Sequence, residues 1–221
     1  MARDDASNGA RPGKAKGEAS RAKGNSARRA GGRHAGPVYA AVDLGTNNCR
    51  LLIARPSAKD RQQSFTVVDA FSRIVRLGEG LGQHGTLSEK AMERTVAALS
   101  ICAGKIRRQG ATRVDAVATE ACRQATNYPD FVSRVEKETG LKLRLISGQE
   151  EAAIGLAGCA SLLDGSTPRA LVFDIGGGST EVSWIDTTAD RPRVLASRSV
   201  PLGGTSAPLS RCRVVALGFQ F

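Results

Sequence analysis

Asp43-Leu44-Gly45-Thr46-Asn47-Asn48 follows the apolar run Tyr39 to Val42, and Asp174-Ile175-Gly176-Gly177-Gly178-Ser179-Thr180 follows Ala170 to Phe173. Each stretch closes one apolar segment with an aspartate, bends through glycine and small polar residues, and opens a second segment: Cys49 to Ala54 after the first, Glu181 to Ile185 after the second. Both read as hairpins. The recurrence is too distant for a solenoid period, so it reads as two copies of one unit. Each turn offers backbone N–H groups and hydroxyls to one anion, with an aspartate at the strand end beside them. Two such units facing one another would grip a phosphate together with its metal.

Outward from these hairpins, the chain alternates apolar segments with short polar joints. Ser64 to Phe71 predicts a third strand, followed by the glycine-rich loop Leu77 to Gly85. From about Ser88, Met92, Val96, Leu99, Ala103 and Ile106 fall on one face of a helix that Thr86 and Glu89 cap and Gly110 closes. Val114 to Thr119 predicts a strand, Tyr128 to Thr139 a helix opened by Pro129 and closed by Gly140, Leu141 to Ile146 a strand, and Gln149 to Leu163 a helix. After the second hairpin comes a strand over Val194 to Val200. The class is α/β.

At 221 residues, 41% hydrophobic and 24% charged, the chain suits a soluble globular protein and excludes fibres and coiled coils. No apolar run reaches the roughly 18 to 20 residues of a membrane helix, and Met1 to Gly36 has no secretory h-region. The expected compartment is the cytoplasm. The five cysteines lack a C-x-x-C pair, and the two histidines, His34 and His84, lie far apart. That pattern argues against a zinc site, a disulfide framework or a histidine-assisted nucleophile. Chemistry would rest on carboxylates, backbone amides and cations.

The net charge of +11 is unevenly placed: Met1 to Gly36 carries nine lysines and arginines against three acids. This tail holds no Val, Ile, Leu, Phe, Trp or Tyr, so it buries too little apolar surface to offset ordering and is expected to be disordered. It could hold RNA, DNA or another polyanion by unspecific contacts, or simply keep the chain soluble.

Familiar phosphate loops do not fit. Neither turn has the lysine of a Walker loop, and Thr180-Glu181-Val182-Ser183-Trp184-Ile185 alternates like a strand where a dinucleotide fingerprint needs a helix. Four segments instead carry a resemblance: Ala41 to Asn47, Ala118-Thr119-Glu120-Ala121-Cys122-Arg123-Gln124-Ala125, Ile146-Ser147-Gly148-Gln149-Glu150-Glu151-Ala152, and Asp174 to Glu181. In order and spacing they resemble the motifs of the exopolyphosphatase and guanosine pentaphosphate phosphohydrolase family, of the actin-like (ribonuclease H-like) ATPase superfold.

The resemblance implies hydrolysis of the terminal phosphoanhydride of polyphosphate, of guanosine pentaphosphate, or of both. It implies that Gly45, Thr46 and Asn47 with Gly176, Gly177, Gly178 and Ser179 cradle phosphate, that Asp43 and Asp174 hold Mg²⁺, that Glu151 is the general base, and that Arg123 contacts substrate phosphate. Asn48 departs from the family's usual serine. Physics alone leaves Glu150 and Glu151 open, because adjacent helical residues point about 100° apart. A homodimer is open by the same resemblance. The alternatives are a kinase of the same superfold, or a non-catalytic binder of polyanions or nucleic acid through the basic tail.

The implied organisation is a tail over 1–36, a first lobe over 37–160, the opening of a second lobe over 161–203, and an unmatched segment over 204–221. That last segment has no helical period, which reads as a truncated or frameshifted second lobe whose sheet lacks cover and whose turnover is in question.

Overall fold

Alternation of outward-facing and buried apolar side chains builds the first hairpin. In β1 (Tyr39–Leu44) Ala40, Val42 and Leu44 point inward, and in β2 (Asn48–Pro56) Cys49, Leu51 and Ile53 do so. The two pair antiparallel, and β3 (Phe65–Ile74) pairs antiparallel with β2. The computed structural model describes residues 36–57, 65–163, 166–189 and 191–200, with the backbone of 215–218; these belong to one compact unit. The expected disorder of the basic tail lies outside the described residues, as does any polyanion contact through 1–35.

A short helix α1 (Leu81–His84) interrupts the glycine-rich loop, and α2 (Glu89–Arg108) follows. Val96, Leu99, Ala103 and Ile106 of α2 are buried as their spacing predicts, while Met92 is half-buried against the same core. The cap differs from the expectation. Ser88, not Thr86, is the N-cap, its hydroxyl accepting from the Ala91 N–H at 3.3 Å. Ser88 directly precedes the first helical residue, where a side-chain oxygen reaches the orphan amides.

β4 (Arg113–Ala118) returns parallel to β1 and leads through α3 (Glu120–Gln124) and α4 (Tyr128–Thr139) to β5 (Arg144–Leu145). α4 has the predicted bounds, with Pro129 in its first turn and Gly140 closing it at φ 76°. β5 is shorter than the predicted Leu141 to Ile146, because only Val117 and Ala118 of β4 remain opposite it to pair. The sheet order is β3-β2-β1-β4-β5, and α2 and α4 cover one face around a core that includes Phe131, Leu99 and Ile53. The other face leaves Tyr39, Leu52 and Val114 exposed.

α5 (Gly148–Cys159), extended by a 3₁₀ turn over Ala160–Leu162, belongs by number to the expected first lobe. It packs on the second sheet: Leu156 and Cys159 join Ala170, Val172 and Ile185 in a separate small core. That sheet has the order β8-β7-β6-β9, all antiparallel, from β6 (Arg169–Ile175), β7 (Thr180–Asp186), β8 (Arg193–Val200) and β9 (Val215–Gly218). β9 lies in the segment for which the sequence predicts no element. Its backbone pairs with the otherwise free edge of β6, from Phe173↔Val215 to Ala170↔Gly218. No helix among the described residues is long and apolar enough to cross a membrane.

The cap assignment has a simple check. Ser88→Ala is expected to cost about 1 kcal/mol in urea denaturation, and Thr86→Ala to change stability by less than about 0.5 kcal/mol.

Candidate functional site

The two predicted turns have the same bend. Gly45 N–H donates to the Asn48 carbonyl at 2.9 Å, and Gly176 N–H donates to the Ser179 carbonyl at 2.8 Å. The turns also meet. A Cβ on Gly177 would stand 2.6 Å from Asn47 Cβ and 3.1 Å from Asn47 N, and one on Gly178 would stand 2.9 Å from Thr46 Oγ1. Only hydrogen fits at these positions, so glycine is what lets the ends of the two sheets close on each other.

Behind the first turn, the Asn47 carbonyl accepts from Val75 N–H at 2.8 Å and Arg76 N–H at 3.0 Å, and the Thr46 carbonyl accepts from Gly78 N–H at 3.0 Å. The Thr46 and Asn47 amides have no backbone acceptor among the described residues, and the Asn47 amide lies opposite the Thr46 carbonyl in one peptide plane. The glycine-rich loop Leu77 to Gly85 backs this turn through Gly78.

Between the turns lies an open cleft, which Asp43, Asp174 and Glu151 all line. Of the residues named from the sequence, Gly45, Thr46, Asn47, Gly176, Gly177, Gly178 and Ser179 line it too. Asp43 still reaches water, yet burial pushes its carboxyl up, against the pull of Arg50 and with the repulsion of Asp174. Asp174 is pushed up by burial and by Glu181, again opposed by Arg50. The two aspartates therefore feel each other's charge in one space.

Two further cleft residues are not singled out by the sequence reading. Arg50 stands opposite Asp43 in the first hairpin, and Glu181 opposite Asp174 in the second, each seven residues after its aspartate. That equal offset is the signal that finds them. Glu181 is buried, and its Oε1 accepts from Ser179 Oγ at 2.7 Å and Ser199 Oγ at 2.8 Å. The Ser179 hydroxyl is thus tied to a carboxylate.

α5 separates the two candidate bases. Ser147 caps it, and Glu150 turns outward to Arg144, which also pairs with Asp115 at 3.2 Å. Glu151 turns into the cleft, one carboxylate oxygen held by Arg123 Nη1 at 2.8 Å. Burial raises its pKa, Arg123 opposes the rise, and Glu181 and Asp43 add to it.

Arg123 itself is fully engaged, donating also to Glu120 Oε2 at 2.9 Å and to the Ile146 carbonyl at 2.9 Å. Burial disfavours its charge, and the two carboxylates more than restore it. In this arrangement it holds Glu151 and is not part of the cleft lining.

The carboxylates suit a hard divalent cation. Asp43 and Asp174 are oxygen donors whose mutual repulsion a cation relieves. Among the described residues no three acidic, histidine or cysteine side chains close into a ready cluster. A magnesium ion takes one or two protein carboxylates and fills the rest of its shell with water and phosphate oxygens.

The turn contact predicts a contrast between glycines. Gly177→Ala is expected to cost about 1 to 3 kcal/mol in urea denaturation by forcing Asn47 away. Gly45→Ala is expected to stay within about 0.5 kcal/mol, its Cβ meeting only Asn48 O at 3.6 Å.

Comparison with known proteins converges on one family. The model of the Ppx/GppA phosphatase family matches residues 57–207, which begins after the first turn. A guanosine-5'-triphosphate,3'-diphosphate pyrophosphatase of Photobacterium profundum is 41% identical over 146 residues, and its counterpart in Vibrio vulnificus 38% over 146. The aligned region is 66% of this chain and 28% of each relative, so the chain spans little more than a quarter of their length. Among solved structures, the Ppx/GppA family member of Aquifex aeolicus superposes with a TM-score of 0.63 at 30% identity, covering 77% of this chain and 53% of that one. An exopolyphosphatase of Cytophaga hutchinsonii gives 0.68 at 26%, covering 76% and 51%. The α/β class expected from the sequence is the one found, its fold is shared with solved Ppx/GppA structures, and with the family match extending over most of its length the chain belongs to the Ppx/GppA phosphatase family.

Proposed function

We propose that the cleft is a phosphohydrolase site that releases orthophosphate from the end of polyphosphate, of guanosine pentaphosphate, or of both. The observation that carries this reading is the convergence of the two glycine turns, with Asp43 and Asp174 at their bases and Glu151 directed between them. The names of the relatives point to the same substrates.

Phosphoryl transfer asks for charge neutralisation, in-line positioning and an oriented nucleophile more than for covalent chemistry. The Thr46 and Asn47 amides, with those of Gly178 and Ser179 in the second turn, would bind the terminal phosphate oxygens. Five carboxylates, Asp43, Glu120, Glu151, Asp174 and Glu181, line the cleft beside one arginine, Arg50, so a polyanion needs a cation to enter. Asp43 and Asp174 would hold Mg²⁺, which supplies that neutralisation when bound. Arg50, within reach of both aspartates, adds a fixed positive charge.

Glu151 would accept the proton of the attacking water. As the water oxygen bonds to the terminal phosphorus, the bridging P–O bond breaks, and the shortened chain leaves as an anion. Burial makes Glu151 a stronger base than an exposed glutamate, and Arg123 keeps it ionised and aimed. Arg123 is a positioning residue for the base in this arrangement.

Orthophosphate release by the 221-residue chain, assayed with Mg²⁺ on both substrates, tests the reading. Glu151→Gln is expected to lower kcat by roughly 10² to 10⁴, and Glu150→Gln to leave it nearly unchanged; equal losses in both would contradict the assignment. The pH profile adds a signed test. The ionised base is the active form and its pKa is raised, so activity should climb through an acid limb lying above the usual glutamate range. Arg123→Ala removes the group that lowers this pKa, so the limb should move to higher pH. An unmoved limb would separate Arg123 from Glu151.

A further inference from the structure

We propose that Arg94, on the outer face of α2, is a positioning residue for the first phosphate turn, acting through the segment Val75 to Glu79. The proposal rests on the phosphate reading of that turn, but the contact itself stands on geometry.

Arg94 Nε donates to the Val75 carbonyl at 3.0 Å, and Nη2 donates to the Arg76 carbonyl at 3.3 Å and to Glu79 Oε2 at 2.6 Å. The guanidinium thus spans the whole segment. The same residues hold the turn from behind: the Val75 and Arg76 N–H groups share the Asn47 carbonyl, and the Gly78 N–H takes the Thr46 carbonyl. The Thr46 carbonyl drawn backward puts the other side of its peptide plane, which carries the Asn47 N–H, toward the cleft.

Val75 is fully buried and anchors the segment in the core. Arg76 has φ 49°, the only positive φ at a non-glycine among the described residues. A left-handed bend at a residue that carries a side chain persists only where its surroundings over-determine it. Arg94, bonded to the carbonyl of the strained residue, supplies that constraint. At Gly78 the approach is so close that a Cβ would stand 2.5 Å from Thr46 Cγ2. Contact therefore runs unbroken from α2 through 75–78 to Thr46 and Asn47, and on to Gly177 and Gly178 of the opposite turn.

The Arg94–Glu79 pair is exposed, at 42% and 58% of the two side chains, so the ion pair by itself contributes little. The carbonyl contacts carry the function, and a lysine, which keeps a cation able to donate to them, should substitute in part.

The test compares Arg94→Gln, Arg94→Lys and Glu79→Gln by amide hydrogen exchange and by calorimetric binding of inorganic tripolyphosphate with Mg²⁺. In Arg94→Gln the Val75, Arg76 and Gly78 amides should exchange roughly tenfold faster. The Thr112 and Gly140 amides, bonded to Val38 and Glu136 elsewhere, should not change. Tripolyphosphate affinity should fall about tenfold, with Arg94→Lys recovering part of both effects and Glu79→Gln nearly silent. Unchanged exchange at 75–78, or an equal rise at Thr112 and Gly140, would overturn the proposal. So would faster exchange at 75–78 with affinity intact. Failure of the unmodified chain to bind tripolyphosphate would instead overturn the phosphate reading, and the exchange data would still decide whether Arg94 holds the turn.

Discussion

Two glycine-containing turns touching across a cleft are the constraint on which the rest of this molecule depends. Gly177 and Gly178 lie so close to Asn47 and Thr46 that any side chain would force them apart. Each turn is fixed at the end of its own sheet by an antiparallel hairpin whose register leaves no slack, Leu44↔Cys49 in one and Ile175↔Thr180 in the other. The sheets have separate cores, a large one under α2 and α4 and a small one under α5. What joins them at the site is a contact that only hydrogen atoms permit.

That contact sets the electrostatics. Bringing the strand ends together places Asp43 and Asp174 in one space, partly stripped of water, beside Glu181 and Glu151. Such a concentration of carboxylates is costly unless cations share it. Arg50 acts on the two aspartates, while Arg123 is bound to Glu120 and Glu151 behind the cleft. The remaining excess of negative charge fits a cleft that receives its phosphate together with a metal cation. Helix α5 contributes direction, because its capped first turn sends Glu150 to Arg144 on the surface and Glu151 inward.

Much of this is legible in the residues before any coordinates. The hairpins, α2 and α4 follow from strict periodicity and from glycine and proline at their ends. Asp43, Asp174 and the turn residues follow from the recurrence of one pattern. Less visible are features decided by partners distant in sequence. β5 is short because β4 stops opposite it, and β9 forms because β6 has an edge to offer. The choice between Glu150 and Glu151 depends on where Arg144 and Arg123 stand, and Glu181 and Arg50 depend on hairpin register. Arg94 looks like an ordinary exposed helix cation until the bend at Arg76 brings backbone carbonyls to it.

The central claim is that the two turns form one anion site. It is tested most directly by titrating the ¹⁵N-labelled chain with Mg²⁺ and tripolyphosphate while following the backbone amides of 45–48 and 176–179. Both sets should shift together along one binding isotherm. Shifts confined to one turn, or two isotherms with different dissociation constants, would contradict the claim.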